Sequence, residues 1–207
     1  MIEKYIQDHT SPEDEILARL YRETHLKVLN PRMLSGHVQG KFLEMVSRMI
    51  NPSRILEIGT YTGYSAICLA RGLDKNGILH TIEINAELRE FAKRYFHKAG
   101  IEKQIIQHTG DAVDIIPRID ELFDLVFIDA AKENYLHYYQ LIFDKVRKGG
   151  FILADNALWD GKVVDPPENQ GKETRGIATF NDYIQKDDRV ENVLLSVRDG
   201  IMLVRKI

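Results

Sequence analysis

From Arg54 onward the chain alternates short, almost wholly apolar runs with amphipathic stretches, and that alternation leaves few folds open. Ile55–Ile58, Ile78–Ile82, Gln104–Ile106, Leu125–Ile128 and Phe151–Ala154 are each of strand length. Most are apolar at successive positions, the texture of strands buried on both faces. The segments between them, Tyr64–Gly72, Ala86–Lys98 and Tyr135–Val146, suit helices. This order argues for an α/β fold with a parallel sheet and helices on both faces. Asn192–Val197 and Ile201–Arg205, joined by Arg198-Asp199-Gly200, read as an antiparallel hairpin at the sheet edge.

The first fifty residues read as helix. Ser11-Pro12-Glu13-Asp14 places a capping hydroxyl, a first-turn proline and two carboxylates where a helix start favours them. Leu17, Leu20 and Tyr21 follow at helical spacing. After a break at Asn30-Pro31, a second run from Val38 to Ile50 carries Phe42, Leu43, Val46 and Ile50, and Asn51-Pro52-Ser53 ends it. A chain of 207 residues suits one domain, here a helical cap over 1–52 and a core over 53–207. With 28 Lys and Arg against 31 Asp and Glu, no basic surplus points to a nucleic acid or an anionic membrane. The single cysteine, Cys68, excludes a disulfide framework and reads as a buried hydrophobe in Ala66–Ala70. No signal-peptide pattern opens the chain and no apolar run is long enough to span a bilayer, so a soluble, cytoplasmic protein is expected.

Chemistry concentrates where strands end. Leu56-Glu57-Ile58-Gly59-Thr60-Tyr61-Thr62-Gly63-Tyr64-Ser65 is a strand entering a glycine turn and then a helix. Gly59 permits a sharp turn, and Gly63 lets a ligand or helix approach. Free N–H groups there, with the Ser65 hydroxyl, suit a carboxylate or phosphate. Glu83 closes the next strand, where an acid can accept both hydroxyls of a ribose. The two glycines do not fit the G-x-G-x-x-G dinucleotide spacing, and an acid, Glu57, lies inside the strand. That pattern resembles the first motif of class I S-adenosylmethionine-dependent methyltransferases. The resemblance implies that Glu57 holds the methionine amino group, Glu83 the ribose, and Gly110-Asp111-Ala112 flanks the adenine. Asp111 is also placed to cap the short run that follows, and the two roles are compatible.

Asp129 ends the fourth strand, and Asp155 and Asn156 end the fifth. Neighbouring strands lie about 4.8 Å apart, so these side chains can converge. Two carboxylates and an amide oxygen form a hard oxygen set suited to Mg²⁺. With Lys132 and Tyr135 after Asp129 and Trp159-Asp160-Gly161 after Asn156, the stretch Pro12–Arg205 resembles the cation-dependent O-methyltransferases, the group containing the catechol and caffeoyl-coenzyme A enzymes. The resemblance implies a Rossmann-like class I methyltransferase fold with a seven-stranded, mostly parallel sheet. It places the metal, Mg²⁺ or another divalent cation such as Ca²⁺ or Mn²⁺, on Asp129, Asp155 and Asn156. It places catalysis on Lys132 and Asp129, and S-adenosylmethionine on Glu57, Gly59, Tyr61, Ser65, Glu83, Asp111, Ala112 and Asp129, with Met33 and Ser35 covering it. It further implies a homodimer.

The expected reaction is methyl transfer to one hydroxyl of a vicinal-diol phenol. Lys132 takes the hydroxyl proton once a nearby cation depresses its pKa. The acceptor is expected beneath Gly161–Gly176, a long polar stretch, and beside Trp159, whose ring either stacks on the acceptor or packs in the core. Lys162 and Arg175 are candidates for an acidic acceptor group. Two departures bear on the substrate. Ala130 and Ala131 replace the aromatic gatekeeper of catechol O-methyltransferases, and their late glutamate has no clear counterpart, Glu173 being only nearby. The seven histidines form no ligand set, and His37, in Leu34–Gly40, is read as structural. A methyltransferase with another acceptor is the alternative within enzymes. A nucleic-acid amino-methyltransferase would carry an Asn-Pro-Pro-Tyr-like motif where this chain has Asp129–Lys132. A non-catalytic nucleoside-binding module is the alternative outside them.

Overall fold

The computed structural model describes residues 2–207. Five parallel strands, β1 (Arg54–Ile58), β2 (Ile78–Glu83), β3 (Ile105–Thr109), β4 (Phe123–Ile128) and β5 (Val146–Ala154), are followed by β6 (Val190–Leu195) and β7 (Ile201–Lys206). The seven-stranded sheet has the order β3-β2-β1-β4-β5-β7-β6, with β7 antiparallel to both neighbours. The expected hairpin is therefore present, but β7 sits inside the sheet and only β6 is an edge.

Each strand sends alternate side chains to two cores. Leu56, Ile58, Val126, Ile128, Ile152 and Val204 face one layer of helices. That layer is α6 (Ala112–Ile115), α7 (Tyr135–Ile142) and α8 (Lys172–Lys186). Ile55, Leu79, Leu125, Phe127 and Leu153 face the other. It holds α2 (Glu15–Lys27), α3 (Gly36–Ile50), α4 (Tyr64–Ala70) and α5 (Arg89–Lys98). Cys68 is fully buried there, and burial pushes its thiol well above the ordinary range, so it behaves as the small hydrophobe expected. No helix among the described residues is long and apolar enough to cross a membrane.

Three local expectations are corrected. Asp14, not Ser11, caps α2, because its carboxylate accepts from the N–H groups of Ile16 and Leu17 at 2.9 and 3.0 Å. A separate short helix, α1 (Ile2–Asp8), precedes it and buries none of its residues. The polar stretch Gly161–Gly176 is not all loop: α8 begins at Lys172 and buries Thr174, Ile177, Phe180 and Ile184. Those residues recur at helical spacing beyond the polar run that hides the start. Gly176 lets α8 lie directly on the turn that carries Lys132, where a Cβ would come within 2.6 Å of the Lys132 carbonyl oxygen.

His80 on β2 and His108 on β3 are diagonal neighbours in the register and share a hydrogen bond of 3.1 Å between Nδ1 and Nε2. His80 Nε2 is buried without a partner. Burial lowers the pKa of both rings, and the His108 charge lowers His80 further. The unfolded chain therefore binds protons that the folded chain refuses, and stability falls as pH drops below the ordinary value of about 6.5. Urea unfolding at pH 7.5 and 5.5 checks this. His80→Leu should lose less stability between the two than the parent, and an equal loss would remove the pair as its source.

Candidate active site

The turn after β1 is suspended from its neighbours. Gly59 and Thr60 both donate backbone N–H groups to Ile82 O, at 2.9 and 3.1 Å. Gly59 has φ +103, and a Cβ there would stand 1.9 Å from Asp129 O, so the end of β4 passes against bare backbone. Glu83 fixes the far side. Its Oε2 accepts from Tyr61 N at 2.7 Å and its Oε1 from Asn85 N at 2.9 Å, which leaves lone pairs on both oxygens. Tyr61 also donates its hydroxyl to Leu29 O at 2.9 Å, joining the turn to the N-terminal helices.

Glu57 lies opposite Thr81 in the β1–β2 register and is fully buried. Thr81 Oγ1 donates to its Oε2 at 2.5 Å, and the Thr60 hydroxyl bonds Thr81 in turn. Glu57 Oε1 has no hydrogen-bond partner. Burial pushes this carboxyl up to about 8, the Asp129 and Glu83 charges add to that, and the Ser65 and Thr81 hydroxyls oppose it. A buried carboxylate oxygen without a donor is costly unless something cationic meets it, and an ammonium group fits that requirement.

The next two strand ends carry the acids side by side. Ile128 pairs with Ala154, and Asp155 N donates to Ile128 O at 2.9 Å, so Asp129 and Asp155 follow in step. Burial and then the Asp129 charge push Asp155 up to about 6, against hydrogen bonds from Gln39 and the Asn156 N–H. Asn156 has φ +57 and donates Nδ2 to Asp199 Oδ2 at 3.0 Å, which leaves its amide oxygen as the available end. Two crowded carboxylates and an amide oxygen fit a hard divalent cation. Among the described residues no group of three His, Cys, Asp or Glu side chains is placed to hold a metal, so a cation here depends on the amide.

Lys132 donates to Asp129 Oδ1 at 2.7 Å and to the Tyr135 hydroxyl at 2.9 Å. Burial pulls its pKa down, but Asp129 and Tyr135 outweigh burial and hold it well above the ordinary lysine range. The side chain is thus an ammonium in this arrangement, and the depression expected of a base is absent. Tyr135 is fully buried, so its hydroxyl is a fixed partner for Nζ.

The remaining expected residues divide. Ser65 and Ala112 are buried beside the turn and behind β3, and Ser35 is buried at the start of α3. Met33 is exposed. Asp111 is exposed and caps α6, accepting from Val113 N at 2.9 Å. His37 binds Ser11 O at 2.7 Å, the structural role expected of it. Trp159 packs partly buried against the core. Lys162, Glu173 and Arg175 are exposed. Sequence reasoning missed the roles of Gln39 and of the adjacent pair Arg198 and Asp199, which lie far from Gln39 in the chain yet bond to it and to Asn156 beside the acids. A glutamine one turn into an amphipathic helix carries no local sign of that task.

A mostly parallel sheet of this order, with a buried carboxylate before a glycine turn on its first strand and an acid ending its second, defines a class I S-adenosylmethionine-dependent methyltransferase. A family model described as O-methyltransferase matches residues 7–207. Caffeoyl-CoA O-methyltransferase 5 of Nicotiana tabacum is 36% identical over 186 residues, covering 84% of this chain and 78% of that one. Catechol O-methyltransferase of Niastella koreensis is 34% identical over 200 residues, covering 95% and 90%. The crystal structure of an O-methyltransferase from Bacillus cereus in complex with SAH superposes with a TM-score of 0.92 at 30% identity, covering 100% and 97%. The chain belongs to this O-methyltransferase family and is an S-adenosylmethionine-dependent O-methyltransferase.

Gly59→Ala tests how far the turn depends on the close pass of β4. Overpacking against Asp129 O and a forced positive φ should together cost about 3 kcal/mol. Urea unfolding measures it, and a loss below about 1 kcal/mol would mean the strand ends part easily.

Proposed function

We propose that this enzyme moves the methyl group of S-adenosylmethionine to one hydroxyl of a vicinal-diol phenol, with a divalent cation on Asp129, Asp155 and Asn156 and with Lys132 as the base. The observation that carries the reading is Lys132 Nζ, 2.7 Å from Asp129, at the edge where the two acids adjoin. The names of relatives support the acceptor class, since catechol and caffeoyl groups both present adjacent aromatic hydroxyls.

The sulfonium donor supplies an electrophilic methyl group, and a divalent cation, Mg²⁺ by its preference for hard oxygen ligands, lowers the pKa of a phenolic hydroxyl beside it. Everything else falls to side chains. Glu57 accepts the donor's amino group on its unpartnered oxygen, and Glu83 accepts its ribose hydroxyls. Gly59, Tyr61, Ser65, Asp111, Ala112 and Asp129 line the same ligand, and Met33 and Ser35 cover it. Asp129 is central to the acid–base step, because its carboxylate, with Tyr135, strengthens the hold of Lys132 on its proton against the opposing effect of burial. With that charge engaged by a cation, the ammonium would give up its proton to solvent more readily, leaving a neutral Nζ able to take the hydroxyl proton, and Tyr135 keeps Nζ in place. Positioning supplies much of the remaining acceleration, because oxygen, carbon and sulfur must align. A homodimer accords with α1, whose Ile2, Tyr5 and Ile6 lie exposed beside α3 with its exposed Met45 and Met49.

Methyl transfer to a panel of catechols, caffeoyl esters, flavonoids and mono-hydroxylated phenols, with Mg²⁺ and with chelator, tests the reading. Transfer should occur to vicinal diols alone and stop with chelator, and undiminished transfer in chelator would overturn the cation's role. Lys132→Met should lower kcat about 100-fold or more. Affinity for SAH should stay within about twofold of the parent, the range of an uninvolved residue.

The Glu57 assignment has its own readout. A carboxyl near 8 is mostly protonated at pH 7, and an arriving ammonium favours the ionised form, so binding releases a proton. Affinity for SAH should therefore rise from pH 6.5 to 8.5, and calorimetry in two buffers of different ionisation enthalpy should detect the proton. Glu57→Gln should show neither effect, and proton release unchanged in that variant would assign it elsewhere.

A further inference from the structure

The charged side chains at the tip of the β6–β7 hairpin hydrogen-bond neither the glycine turn nor Lys132, yet both end on groups bonded to the acid pair or adjoining it. Asp199 takes the Asn156 amide, as described. Arg198 Nη1 donates to Gln39 Oε1 at 2.6 Å, and Gln39 Nε2 donates to Asp155 Oδ2 at 2.7 Å. Gln39 is completely buried, so its amide has no water to turn toward. Its orientation is dictated by its neighbours, since only the NH₂ end can face a carboxylate and only the oxygen a guanidinium. The same Nη1 donates to Ser35 O, with Leu34 O at 3.4 Å. Arg198 holds a backbone φ of +49, a region that arginine gains nothing from locally and that tertiary contacts must sustain.

Resting on the reading of Asp155 as a cation ligand, we propose that Arg198, acting through Gln39, is a positioning residue that holds the Asp155 carboxylate in its ligating orientation and ties it to the Leu34–Ser35 backbone covering the cofactor. The guanidinium bonds both the Gln39 amide and the Leu34 and Ser35 carbonyls. A segment closed over the cofactor keeps Arg198 on Gln39, and Gln39 keeps Asp155 in place. Cation and cofactor therefore bind cooperatively, each tightening the other by the same factor.

Calorimetric titration of Mg²⁺ and of SAH, each with and without the other, tests this on the full chain and its Arg198→Ala, Gln39→Ala, double and Asp155→Asn variants. In the parent, SAH should tighten Mg²⁺ binding. Arg198→Ala should weaken Mg²⁺ about tenfold, the usual effect of losing a residue that orients a ligand, and should abolish the mutual tightening. In the Gln39→Ala background the same substitution should add little, because its path to Asp155 is already cut. A melting temperature within a few degrees of the parent's confirms that each variant is folded. Mg²⁺ affinity lost in Asp155→Asn but unchanged in Arg198→Ala overturns the proposal and leaves the cation site standing. So does an Arg198→Ala effect of equal size with and without Gln39, or a parent in which the two ligands bind independently. Mg²⁺ affinity unchanged in Asp155→Asn removes the cation reading and the proposal with it.

Discussion

Two backbone hydrogen bonds, Asp129 N to Ile58 O at 2.8 Å and Asp155 N to Ile128 O at 2.9 Å, carry the ladders of β1, β4 and β5 one residue past the strands proper. Parallel strands in step end at the same level, so the first residue beyond each shares a line at the sheet edge. That line holds Gly59, Asp129 and Asp155. A residue slip in either pairing would turn one acid to the opposite face and send it into a helix-covered core. Asp124 secures the other end of the same strands. Its Oδ2 accepts from Ser53 N and Arg54 N, and its Oδ1 pairs with Arg147, so β1 and β5 are both referred to β4. The chemistry inherits its geometry from the ladder, and side chains refine it.

The cost of this edge is electrostatic. Glu57, Glu83, Asp129 and Asp155 occupy one region of a chain whose net charge is only −3. Glu57 and Asp155 are both pushed up by burial and by the neighbouring acids. A fold optimised for stability alone would dilute such charge, and concentrated, perturbed acids of this kind mark a functional site. Lys132 is the cation bonded directly to one of these acids, and its strong retention of a proton reflects the same field.

The strands and their terminal acids were legible because a doubly covered parallel sheet writes continuous apolar runs, and a polar residue at the end of one stands out. Glu83, Asp129 and Asp155 announce themselves this way, and Glu57 does so as an acid inside an apolar strand. The start of α8 was hidden by the polarity of Gly161–Gly176, although Ile177, Phe180 and Ile184 marked the helix further on. The cap of α2 was misplaced by three residues, because Ser11 and Asp14 both suit the role and only the path of the chain chooses between them. Gln39 and Arg198 were not legible at all. They are 159 positions apart, and nothing near either residue predicts that one will satisfy the other.

The loop that follows β5 is built on a different principle from the edge itself. Asn156, Trp159, Asp160 and Gly161 all have positive φ within six residues, three of them without being glycine. Such backbone is sustained by neighbours, and here Asp199 provides them, bonding Asn156 Nδ2 and the Asp160 N–H. The sharp path throws Trp159 back onto the core rather than toward an acceptor. With Ala130 and Ala131 following Asp129, no large aromatic side chain of that loop adjoins Lys132. A rigid sheet edge thus fixes the reacting groups, while short loops of unusual backbone set the space in front of them. Substitution at Trp159, Asp160 or Gly161 can reshape that space without touching the ladder bonds from Asp129 N to Ile58 O and from Asp155 N to Ile128 O, and in that separation the loop and the sheet edge become independently adjustable.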